Sequence, residues 1–415
     1  MGNDTEERAL PQEGRAFFAQ IDALWAVKDY PPIRNCVRLI GVEPHSFSRE
    51  LFNSEDGCRT FIVDLDWRDA FGLWHWYPLR WGWGPCSSDP DAVDLDNIWL
   101  RIEYEPSDQI ENSYAYPAFE GADPTYIRPT RIEVVEGGPS VRPIAHAAKP
   151  PSSYATDERT LFQLTAFHVG QGMCSVLHGS FSGYILDAGA GTPVSRKDYL
   201  AFAHDDGTPF VNELWPLVDR LESVAAILSH PDADHWRLLD WDVGLLAKVQ
   251  NVFLPVGRPA LAFSAPKIKP KVEGIADHRF ALNSRNWLDI HRSHPSLSDK
   301  NGECLVTIAY CEGRKGMLPG DYVYERMGRD ANSAIAHAAR ESYDVVVVPH
   351  HGDEASASSV ARPRHPLRSK AFFSAGTHAG YGHPTPASIL SHLKQGYITI
   401  DEHERRDIVG KRLLP

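Results

Sequence analysis

The stretch VAAILSHPDADH, residues 224–235, decides the fold. Its first five residues are apolar, and a short apolar run of this kind predicts a buried strand that ends at Ser229. The next residues carry imidazole and carboxylate groups, and a helical pattern that includes Trp236 and Leu239 follows them. A buried strand, a polar loop and a helix in this order are typical of open α/β proteins, whose sites lie at the ends of strands.

The polar loop contains four side chains that can bind a metal ion: His230, Asp232, Asp234 and His235. Extended backbone places His230 and Asp232 on one side, and the turn into the helix moves the other two to another side. Imidazoles with carboxylates bind Zn²⁺ and, as the share of oxygen ligands grows, Mn²⁺ or Mg²⁺. We therefore predict that one loop supplies two adjacent metal positions. The alternative is that Asp232 or Asp234 only caps the helix, which leaves both histidines without a role.

Two later strand ends supply the same kinds of atom. The sequence LPGD, residues 318–321, ends one strand with Asp321 behind a glycine, and PHHG, residues 349–352, follows another strand with His350 and His351. Taken singly, an aspartate after glycine is usually a turn residue, and loop histidines are often solvated. Together with the first loop they complete the ligand inventory of a two-metal hydrolase, with Asp321 suited to bridge both ions.

In these motifs the sequence resembles the metallo-β-lactamase fold superfamily, and within it the hydrolase domain of ComEC-type competence DNA-uptake proteins. The shared motifs occur in the family's order between residues 161 and 410: FHVGQG (167–172), ILDAG (185–189), SHPDADH (229–235), LPGD (318–321), VPHHG (348–352), SAG (374–376) and YGHP (381–384). The resemblance implies an α/β fold, the αββα sandwich, that binds two divalent metal ions (Zn or Mn). It also implies hydrolysis of phosphodiester bonds by a metal-activated water, and it favours a nuclease.

The resemblance assigns a role to each candidate residue. The metal ligands are His230 and Asp232 for the first ion, Asp234, His235 and His350 for the second, with His351 as the alternative to its neighbour, and Asp321 between the ions. The candidate catalytic residues are Asp234, His383 and Asp187. Asp187 would orient a ligand histidine. His383 would stabilise transition-state oxygens or protonate the leaving group, unless it only caps its loop.

The sequence also departs from the family. Met173 stands where relatives usually have Asp, and Trp236-Arg237 stands where they have two small glycines. A histidine from a third motif for the first metal is not evident, although His291 and His294 lie in the right interval. We therefore expect the first metal site to be open or completed by water. No transmembrane channel accompanies the motifs, so the resemblance does not imply DNA import.

The chain has 415 residues, which favours two domains. Residues 137–157 are rich in Pro, Ala and Ser without a sustained period, so we place the boundary there. The prediction is an accessory domain at residues 1–150 and a hydrolase domain at residues 151–415. In the second, the apolar runs predict one helix and eight strands: a helix over 211–221 and strands over 161–169, 175–177, 183–186, 224–228, 304–310, 316–318, 344–348 and 371–374.

The accessory domain is predicted to be α+β or mainly β. Residues 13–27 favour a helix, and residues 58–65 and 98–104 favour strands. Six of the eleven tryptophans lie close together in this domain: Trp67, Trp74, Trp76, Trp81, Trp83 and Trp99. They form either an aromatic binding surface or the core of a small β domain, and we favour the core because large aromatics dominate core burial.

Charge and composition limit the partners. The net charge is −13, with −11 in residues 1–150 and −2 in residues 151–415, so a nucleic acid should meet the C-terminal half. Basic loops near the strand ends of the site contain Arg258, Lys267, Lys269 and Lys271, and Arg362, Arg364, Arg368 and Lys370. They either guide a phosphate backbone or are solvated surface. No apolar run reaches the roughly 18 residues of a membrane span, and no signal is evident, so we expect a cytoplasmic protein with no membrane partner. The six cysteines lack a C-x-x-C pair and are expected to be reduced.

Three functions remain open at this point. The first is a phosphodiesterase that cleaves nucleic acid, and the resemblance suggests bacterial defence as its context. The second is a phosphodiesterase that acts on a small molecule such as a cyclic nucleotide, with a pocket covered by Trp236 and the Trp-rich domain. The third is a regulated or silent hydrolase subunit that binds a protein partner through residues 1–150, which the acidic charge of that half favours.

Overall fold

The computed structural model describes residue 10 and residues 15–73, 98–147, 158–204, 209–295, 302–377 and 381–415. The chain divides into two compact units. The first consists of Met1–Arg142 and Pro259–Pro270, and the second of Pro143–Arg258 and Lys271–Pro415. The predicted boundary after residue 150 stays a prediction. The inclusion of residues 259–270 in the first unit has no counterpart in the sequence analysis.

Within the described residues, the first unit contains six strands and two short helices: β1 (Ala16–Val27), β2 (Asn35–Val42), α1 (Pro44–Ser48), β3 (Thr60–Asp66), α2 (Trp67–Leu73), β4 (Trp99–Ser107), β5 (Ser113–Pro117) and β6 (Thr125–Val135). The strands form a closed barrel in the order β1-β2-β3-β5-β6-β4, and antiparallel pairing of β4 with β1 closes it. Closure gives every strand two neighbours, so the barrel has no open edge that could pair with another chain.

The prediction of a helix over residues 13–27 is wrong for its described part, because Ala16–Val27 form β1. Phe17, Ala19 and Ile21 are buried and alternate with half-buried Phe18 and Gln20, which is the two-residue period of a strand. β1 pairs with β2 on one side and with β4 on the other. These backbone hydrogen bonds and the burial inside the barrel outweigh the helix propensity of the Ala, Leu and Gln residues in the segment.

The tryptophan cluster is described only in part. Trp99 is fully buried and donates a hydrogen bond from Nε1 to the Pro139 carbonyl over 2.8 Å. Trp67 is partly buried and packs against the barrel core. Trp74, Trp76, Trp81 and Trp83 lie outside the described residues. The two described tryptophans therefore contribute to the core.

The second unit contains sixteen strands and seven helices among the described residues: β7 (Gln163–His168), β8 (Cys174–His178), β9 (Ser182–Ala188), α3 (Arg196–Phe202), α4 (Leu214–Asp219), β10 (Ser223–Ile227), α5 (Arg237–Trp241), α6 (Val243–Lys248), β11 (Val249–Pro255), β12 (Val272–Ile275), β13 (His278–Asn283), β14 (Asn286–Arg292), β15 (Leu305–Cys311), β16 (Arg314–Leu318), α7 (Tyr324–Met327), α8 (Ser333–Ala338), β17 (Ser342–Tyr343), β18 (Val345–Val347), β19 (Arg362–Pro363), β20 (Lys370–Phe373), α9 (Pro386–Gln395), β21 (Ile398–Asp401) and β22 (Val409–Leu414). The eight predicted strands are confirmed to within two residues at each end, and the predicted helix corresponds to α4.

Two seven-stranded sheets form the body of this unit. Sheet I has the order β12-β11-β10-β9-β8-β7-β22, and sheet II has the order β13-β14-β15-β16-β18-β20-β21. One buried apolar cluster contains Leu164 and Leu186 of sheet I together with Leu288 and Val347 of sheet II. A second cluster joins α7 and α8 to the side chains on the other side of sheet II. The unit is therefore a mixed α/β structure in which the two sheets share one core.

The strand directions bring the predicted site loops to one edge. In sheet I, β9 and β10 are parallel neighbours, so Asp187 and Ser229 leave the sheet side by side. In sheet II, β16, β18 and β20 are parallel neighbours, and they run into Asp321, His350 and Ser374 respectively. Because parallel strands end at the same edge of a sheet, each sheet presents its polar loops together.

Five of the six cysteines are described, and all five are buried free thiols. Cys86 lies outside the described residues. No described helix has both the length and the apolar character needed to cross a bilayer.

Candidate metal centre

The loop after β10 presents two fully buried histidines. The hydroxyl of Ser229 contacts Nδ1 of His230 at 3.0 Å and Nδ1 of His235 at 3.1 Å. Residues Ala233–His235 form one turn of 3-10 helix, which returns His235 to within 4.0 Å of His230, measured between ring centroids. Because one hydroxyl holds both Nδ1 atoms, both Nε2 atoms remain available to a ligand.

Asp187 lies at the end of β9 and fixes this loop from sheet I. One carboxylate oxygen accepts a 2.6 Å hydrogen bond from the Ser229 backbone N–H, and the other lies 3.1 Å from Nδ1 of His235. Asp187 has a left-handed backbone with φ of +56°, a conformation that Asp and Asn tolerate better than most residues. Asp187 thus lies where it can orient His235, and a carboxylate at Nδ1 raises the basicity of the opposite ring nitrogen.

Asp234 is positioned by its own backbone. Its carbonyl accepts a 3.1 Å hydrogen bond from Met173, whose carbonyl in turn accepts one from Gly189 over 2.7 Å. A Cβ atom on Gly189 would lie 1.6 Å from the Asp234 carbonyl oxygen, so only glycine allows this close approach. Met173, which departs from the family pattern, therefore acts here through its backbone.

Asp321 comes from sheet II and lies at the centre of the cluster. Its Oδ1 is 3.3 Å from Nε2 of His235 and 3.7 Å from Nε2 of His351. Its Oδ2 is 3.8 Å from Nε2 of His230 and 3.8 Å from Nε2 of His350. One carboxylate thus faces histidines from two loops with both of its oxygens, as a bridging ligand requires.

The turn after β18 separates the two neighbouring histidines. His350 and His351 both have left-handed backbones, with φ of +47° and +54°. His351 is buried, its Nδ1 donates to the Ser374 carbonyl over 2.7 Å, and its Nε2 is 3.1 Å from Asp234. His350 instead pairs its Nδ1 with Asp353 at 3.0 Å. Consecutive left-handed residues cost conformational energy, and such strain is typically kept where it positions functional groups.

Two groups of ligand atoms lie close enough to surround a cation. The first consists of His230, His235 and Asp321, and the second of Asp234, His235 and His351; within each group the ligand atoms lie within 4.8 Å of one another. His351, rather than His350, is the histidine that the structure groups with Asp234. His235 belongs to both groups, whereas the sequence analysis assigned it to the second ion alone.

The donor atoms fit a divalent cation. Their pairing within the protein is incomplete. Nε2 of His230 is buried without a hydrogen-bond partner among the described residues, and the close contacts of Nε2 of His235 and Nε2 of His351 are to carboxylates, at 3.3 Å to Asp321 and 3.1 Å to Asp234. An unsatisfied buried polar atom costs about 1 to 3 kcal/mol, and a cation would satisfy it together with the neighbouring carboxylates. The mixture of imidazole nitrogen and carboxylate oxygen suits Zn²⁺, Mn²⁺ or Fe²⁺.

The remaining predicted ligands lie at the margin. Asp232 is 3.7 Å from Nε2 of His230 but joins neither group of ligand atoms. His291 lies on β14, where its ring is 3.5 Å from Asp277, and the His294 backbone N–H donates to Asp330. In the described part of the chain, neither of these two histidines joins a ligand group.

The pKa values of the histidines and aspartates in the cluster depend on one another. Burial lowers the pKa of His230, and His235 adds to this effect. Burial acts to lower the pKa of His235 as well, but the carboxylates of Asp187 and Asp321 raise it well above its usual value. Burial acts to raise the pKa of Asp321, but His235 and His351 hold it well below its usual value. The central carboxylate is therefore ionised, which is the form that binds a cation.

His383 lies beside the cluster. Its ring centroid is 5.7 Å from that of His350, and its Nδ1 is buried without a hydrogen-bond partner. Burial lowers the pKa of His383 to about 4, and the neighbouring imidazoles of His351 and His350 contribute to the shift. At neutral pH this side chain is an uncharged imidazole.

Sequence reasoning did not assign roles to Ser229, Asp353 and Ser374. Ser229 holds two ligand histidines, Asp353 pairs with His350, and Ser374 accepts a hydrogen bond from His351. The signal for the first two was their position next to a ligand motif. The role of the Ser374 carbonyl depends on β18 and β20 being neighbours, which no local pattern reveals.

One of the two basic loops lies away from the site. Arg364 and Arg368 precede β20 and Lys370 begins it, whereas the site follows the other end of that strand. Arg258 follows β11 and forms an ion pair with Glu303 at 3.2 Å. Lys267 and Lys269 belong to the first unit.

The fold and this cluster define a class of protein, a two-sheet α/β protein with a candidate metal centre. No model of a known protein family matches the sequence, and no curated protein matches it. The chain is similar to the solved structures of CmlA, a diiron beta-hydroxylase from Streptomyces venezuelae (12% identity, TM-score 0.35, 62% of this chain and 55% of that chain), and YhfI, a metallo-beta-lactamase fold protein from Bacillus subtilis (12%, 0.35, 60% and 100%). The chain thus spans about 55% of the length of CmlA.

Proposed function

We propose that this chain is a metal-dependent hydrolase of phosphodiester bonds with the metallo-β-lactamase fold, and that it acts as a nuclease. The observation that carries the proposal is the meeting of three buried histidines with the carboxylates of Asp234 and Asp321 where the strands of two sheets end, with the ligand atoms of each group within 4.8 Å of one another. A purely structural polar cluster would satisfy its buried atoms within the protein, whereas Nε2 of His230 has no hydrogen-bond partner in the described part of the chain.

The position of each residue in the cluster indicates the role that it would have in metal binding. Asp321 faces both groups of ligand atoms, so it would hold two cations in register, while His351 and Asp234 complete one group and His230 belongs to the other. Divalent ions, when bound there, would supply a nucleophilic water at neutral pH and offset the charge of a phosphodiester. The Asp187 carboxylate keeps His235 oriented through its Nδ1. His350, which pairs with Asp353, borders the space above Asp321.

His383 is suited to donate a hydrogen bond rather than a proton. Its pKa of about 4 leaves it neutral at pH 7, and a neutral imidazole carries one N–H that can stabilise the developing charge on a phosphate oxygen. Cations bound at the neighbouring histidines would keep it neutral. Of the two roles that the sequence left open, we therefore favour stabilisation of the transition state over protonation of the leaving group.

The experiment combines metal analysis with a substrate panel. The purified full chain is stripped with a chelator, reloaded separately with Mn²⁺, Zn²⁺, Mg²⁺ and Fe²⁺, and incubated with single- and double-stranded DNA, RNA and cyclic dinucleotides. Asp321→Asn keeps the shape of the side chain but removes the charge between the two groups. Asp219→Asn is the control, because Asp219 is half-exposed and pairs with Lys248 at the surface.

We expect metal-dependent cleavage of nucleic acid by the wild type and by Asp219→Asn, and a loss of about a hundredfold or more in Asp321→Asn. Turnover of cyclic dinucleotides alone would support the small-molecule alternative. No cleavage with any metal, together with turnover of a lactone or thioester, would overturn the assignment to phosphodiesters.

A further inference from the structure

A basic groove crosses the second unit at the edge opposite the metal centre. Arg314 begins β16 and Lys370 begins β20, whereas the site residues Asp321 and Ser374 follow the far ends of the same strands. Arg412 lies near the end of β22, whose beginning pairs with His168. Since a strand rises about 3.3 Å per residue, the groove lies about 20 Å from the metal centre.

The groove consists of three adjoining depressions of about 510, 440 and 310 Å³. The first two share Leu161 and Gln163, and the last two share Arg314 and Lys370. The walls contain seven cations: Arg159, Arg220, Arg314, Arg364, Arg368, Lys370 and Arg412. The depressions therefore adjoin one another, and cations outnumber acidic side chains in their walls; we refer to them together as the channel.

Three of these cations have no acidic partner within the described part of the protein. The two acidic side chains in the channel walls are already engaged: Glu312 pairs with Arg285 at 3.1 Å, and Asp344 pairs with Arg364 at 3.2 Å. Among the described residues, Arg314, Arg368 and Arg412 form no ion pair, and Lys370 donates only to the Arg412 carbonyl over 3.2 Å. Burial lowers the pKa of Lys370, and the charges of Arg314 and Arg412 add to this effect. A fold that holds like charges together without counter-ions is complementary to an external anion.

The groove is basic although the chain as a whole has a net charge of −13. Some exposed arginines elsewhere in the second unit have acidic partners, such as Arg279 with Asp289 and Arg329 with Glu325. An elongated channel with several unpaired arginines matches an extended polyanion better than a small ligand.

We propose that this groove binds the phosphate backbone of a nucleic acid strand and holds it away from the metal centre. The inference deepens the proposed function, on which it rests for the link between binding and cleavage. Arginine donors recognise phosphate oxygens without reading the bases, so binding should depend little on sequence and strongly on salt. A strand held about 20 Å from the metal centre would increase the local concentration of its own remaining phosphodiesters there.

The test measures binding without cleavage. Fluorescence anisotropy follows the full chain, in EDTA, with a fluorescein-labelled single-stranded DNA of mixed sequence. The variant Arg314→Glu/Arg412→Glu reverses two unpaired charges of the groove. The control Arg279→Glu/Arg329→Glu changes the net charge of the protein by the same amount at exposed sites outside it.

We expect the groove variant to bind about tenfold more weakly or worse, and its slope of log K against log salt to fall by roughly 1 to 2, whereas the control binds as the wild type within about twofold. Equal weakening in both variants would show an effect of net charge and would overturn the proposal. Groove-dependent binding to phosphatidylserine vesicles in place of DNA would overturn it as well.

Hydrolysis of bis(4-nitrophenyl) phosphate separates this inference from the proposed function, because so small an ester needs only the metal centre. We expect the groove variant to retain this activity and to show a raised KM for long DNA with little change in kcat. If DNA binding depends on the groove but no phosphodiester is hydrolysed, the groove proposal is supported and the proposed nuclease function is contradicted. If the groove variant hydrolyses DNA as the wild type does, the nuclease function is supported and the groove proposal is contradicted.

Discussion

Asp187 contacts the metal loop through both carboxylate oxygens, one at the Ser229 backbone and one at His235. Burial alone would lower the pKa of His235, and the negative charge of Asp187 is the largest of the effects that raise it instead. Asn in its place tolerates the left-handed backbone and can still accept from Ser229, but it carries no charge. We therefore expect Asp187→Asn to fold normally and to bind metal about 10 to 100 times more weakly. Isothermal titration with Mn²⁺ or Zn²⁺ measures this change.

Asp242→Asn is the control for that prediction. Asp242 is buried and accepts from Tyr199 at 2.7 Å, but it caps α6 and belongs to neither group of metal ligands. We expect this variant to lose stability while its metal affinity stays within about twofold of the wild type. Equal metal affinity in both aspartate variants would contradict the orienting role of Asp187.

Gly320 allows Asp321 to reach the cluster. Its φ is +60°, and a Cβ atom would lie 2.5 Å from the Ser229 side chain, which holds both ligand histidines of the loop. Gly257 also has a left-handed backbone, with φ of +87°, but a Cβ atom there would have no neighbour within 4 Å. Gly257→Ala is therefore the control, because it introduces backbone strain without a steric collision. We expect Gly257→Ala to cost about 1 to 2 kcal/mol, and Gly320→Ala to cost more and to reduce metal content. Thermal unfolding and elemental analysis measure the two effects, and equal results in both variants would contradict the collision.

At the residue scale, the sequence is most informative where a motif contains its own geometry. The order of His230, Asp234 and His235 after a strand indicated a metal loop, and the structure brings these residues together with Asp321. The choice between His350 and His351 depends on two successive left-handed residues, which the sequence PHHG does not specify. That choice could be made only from the structure.

At the element scale, helix α9 (Pro386–Gln395) carries a buried histidine that links stability to pH. His392 contacts the Ser388 carbonyl at 2.8 Å through Nδ1 and the Tyr324 hydroxyl at 3.1 Å through Nε2. Burial lowers the pKa of His392 to about 4. Because the unfolded chain binds this proton near pH 6.5 and the folded protein only near pH 4, stability falls as the pH drops from about 6.5 to 4 and is unaffected by this group above that range.

The wild type loses stability between pH 7 and pH 4, and we expect this loss to be about 2 to 3 kcal/mol smaller in His392→Gln. The variant starts from a lower stability at pH 7, so the measured quantity is the slope of unfolding free energy against pH. His337→Gln is the control, because His337 is exposed on α8. Identical slopes in the wild type and His392→Gln would show that another buried group dominates acid unfolding.

The success of strand prediction also differs between the elements. The strands of the second unit are short apolar runs between polar loops, and this pattern is visible locally, as in β10 and β18. β1 mixes Ala, Leu and Gln with aromatic residues, so its local propensity favours a helix. Its partners β2 and β4 decide the outcome, and β4 follows about 70 residues later in the chain.

At the scale of the whole molecule, the basic groove shows what a sequence cannot display. Arg314, Lys370 and Arg412 are far apart in the chain, and each stands among ordinary surface residues. Sheet II and β22 bring them together. The expectation that Arg364, Arg368 and Lys370 lie at the metal centre was wrong because the direction of β20 was not known.

Residues 259–270 determine where the chain can be truncated. They belong to the first unit, where Phe263 packs against Phe119 at 5.8 Å between ring centroids and the Ala262 carbonyl accepts from Thr60 at 3.3 Å. Leu261 and Phe263 are buried. Deletion of residues 1–142 alone would expose these side chains on the remaining protein, which favours aggregation. A truncation at the boundary predicted from sequence would have the same effect.

We expect residues 143–415 to aggregate, and the same fragment with residues 259–270 replaced by a Gly/Ser linker to remain monodisperse in size-exclusion chromatography. The linker replaces a segment between β11 and β12, which are parallel neighbours, so it must run back along a strand over about 20 Å. Because every described ligand of the metal centre lies in the second unit, the fragment with the linker should also keep metal-dependent hydrolysis of bis(4-nitrophenyl) phosphate. Loss of that activity in a folded fragment would mean that the first unit takes part in the chemistry, and equal solubility of the two fragments would contradict the assignment of residues 259–270.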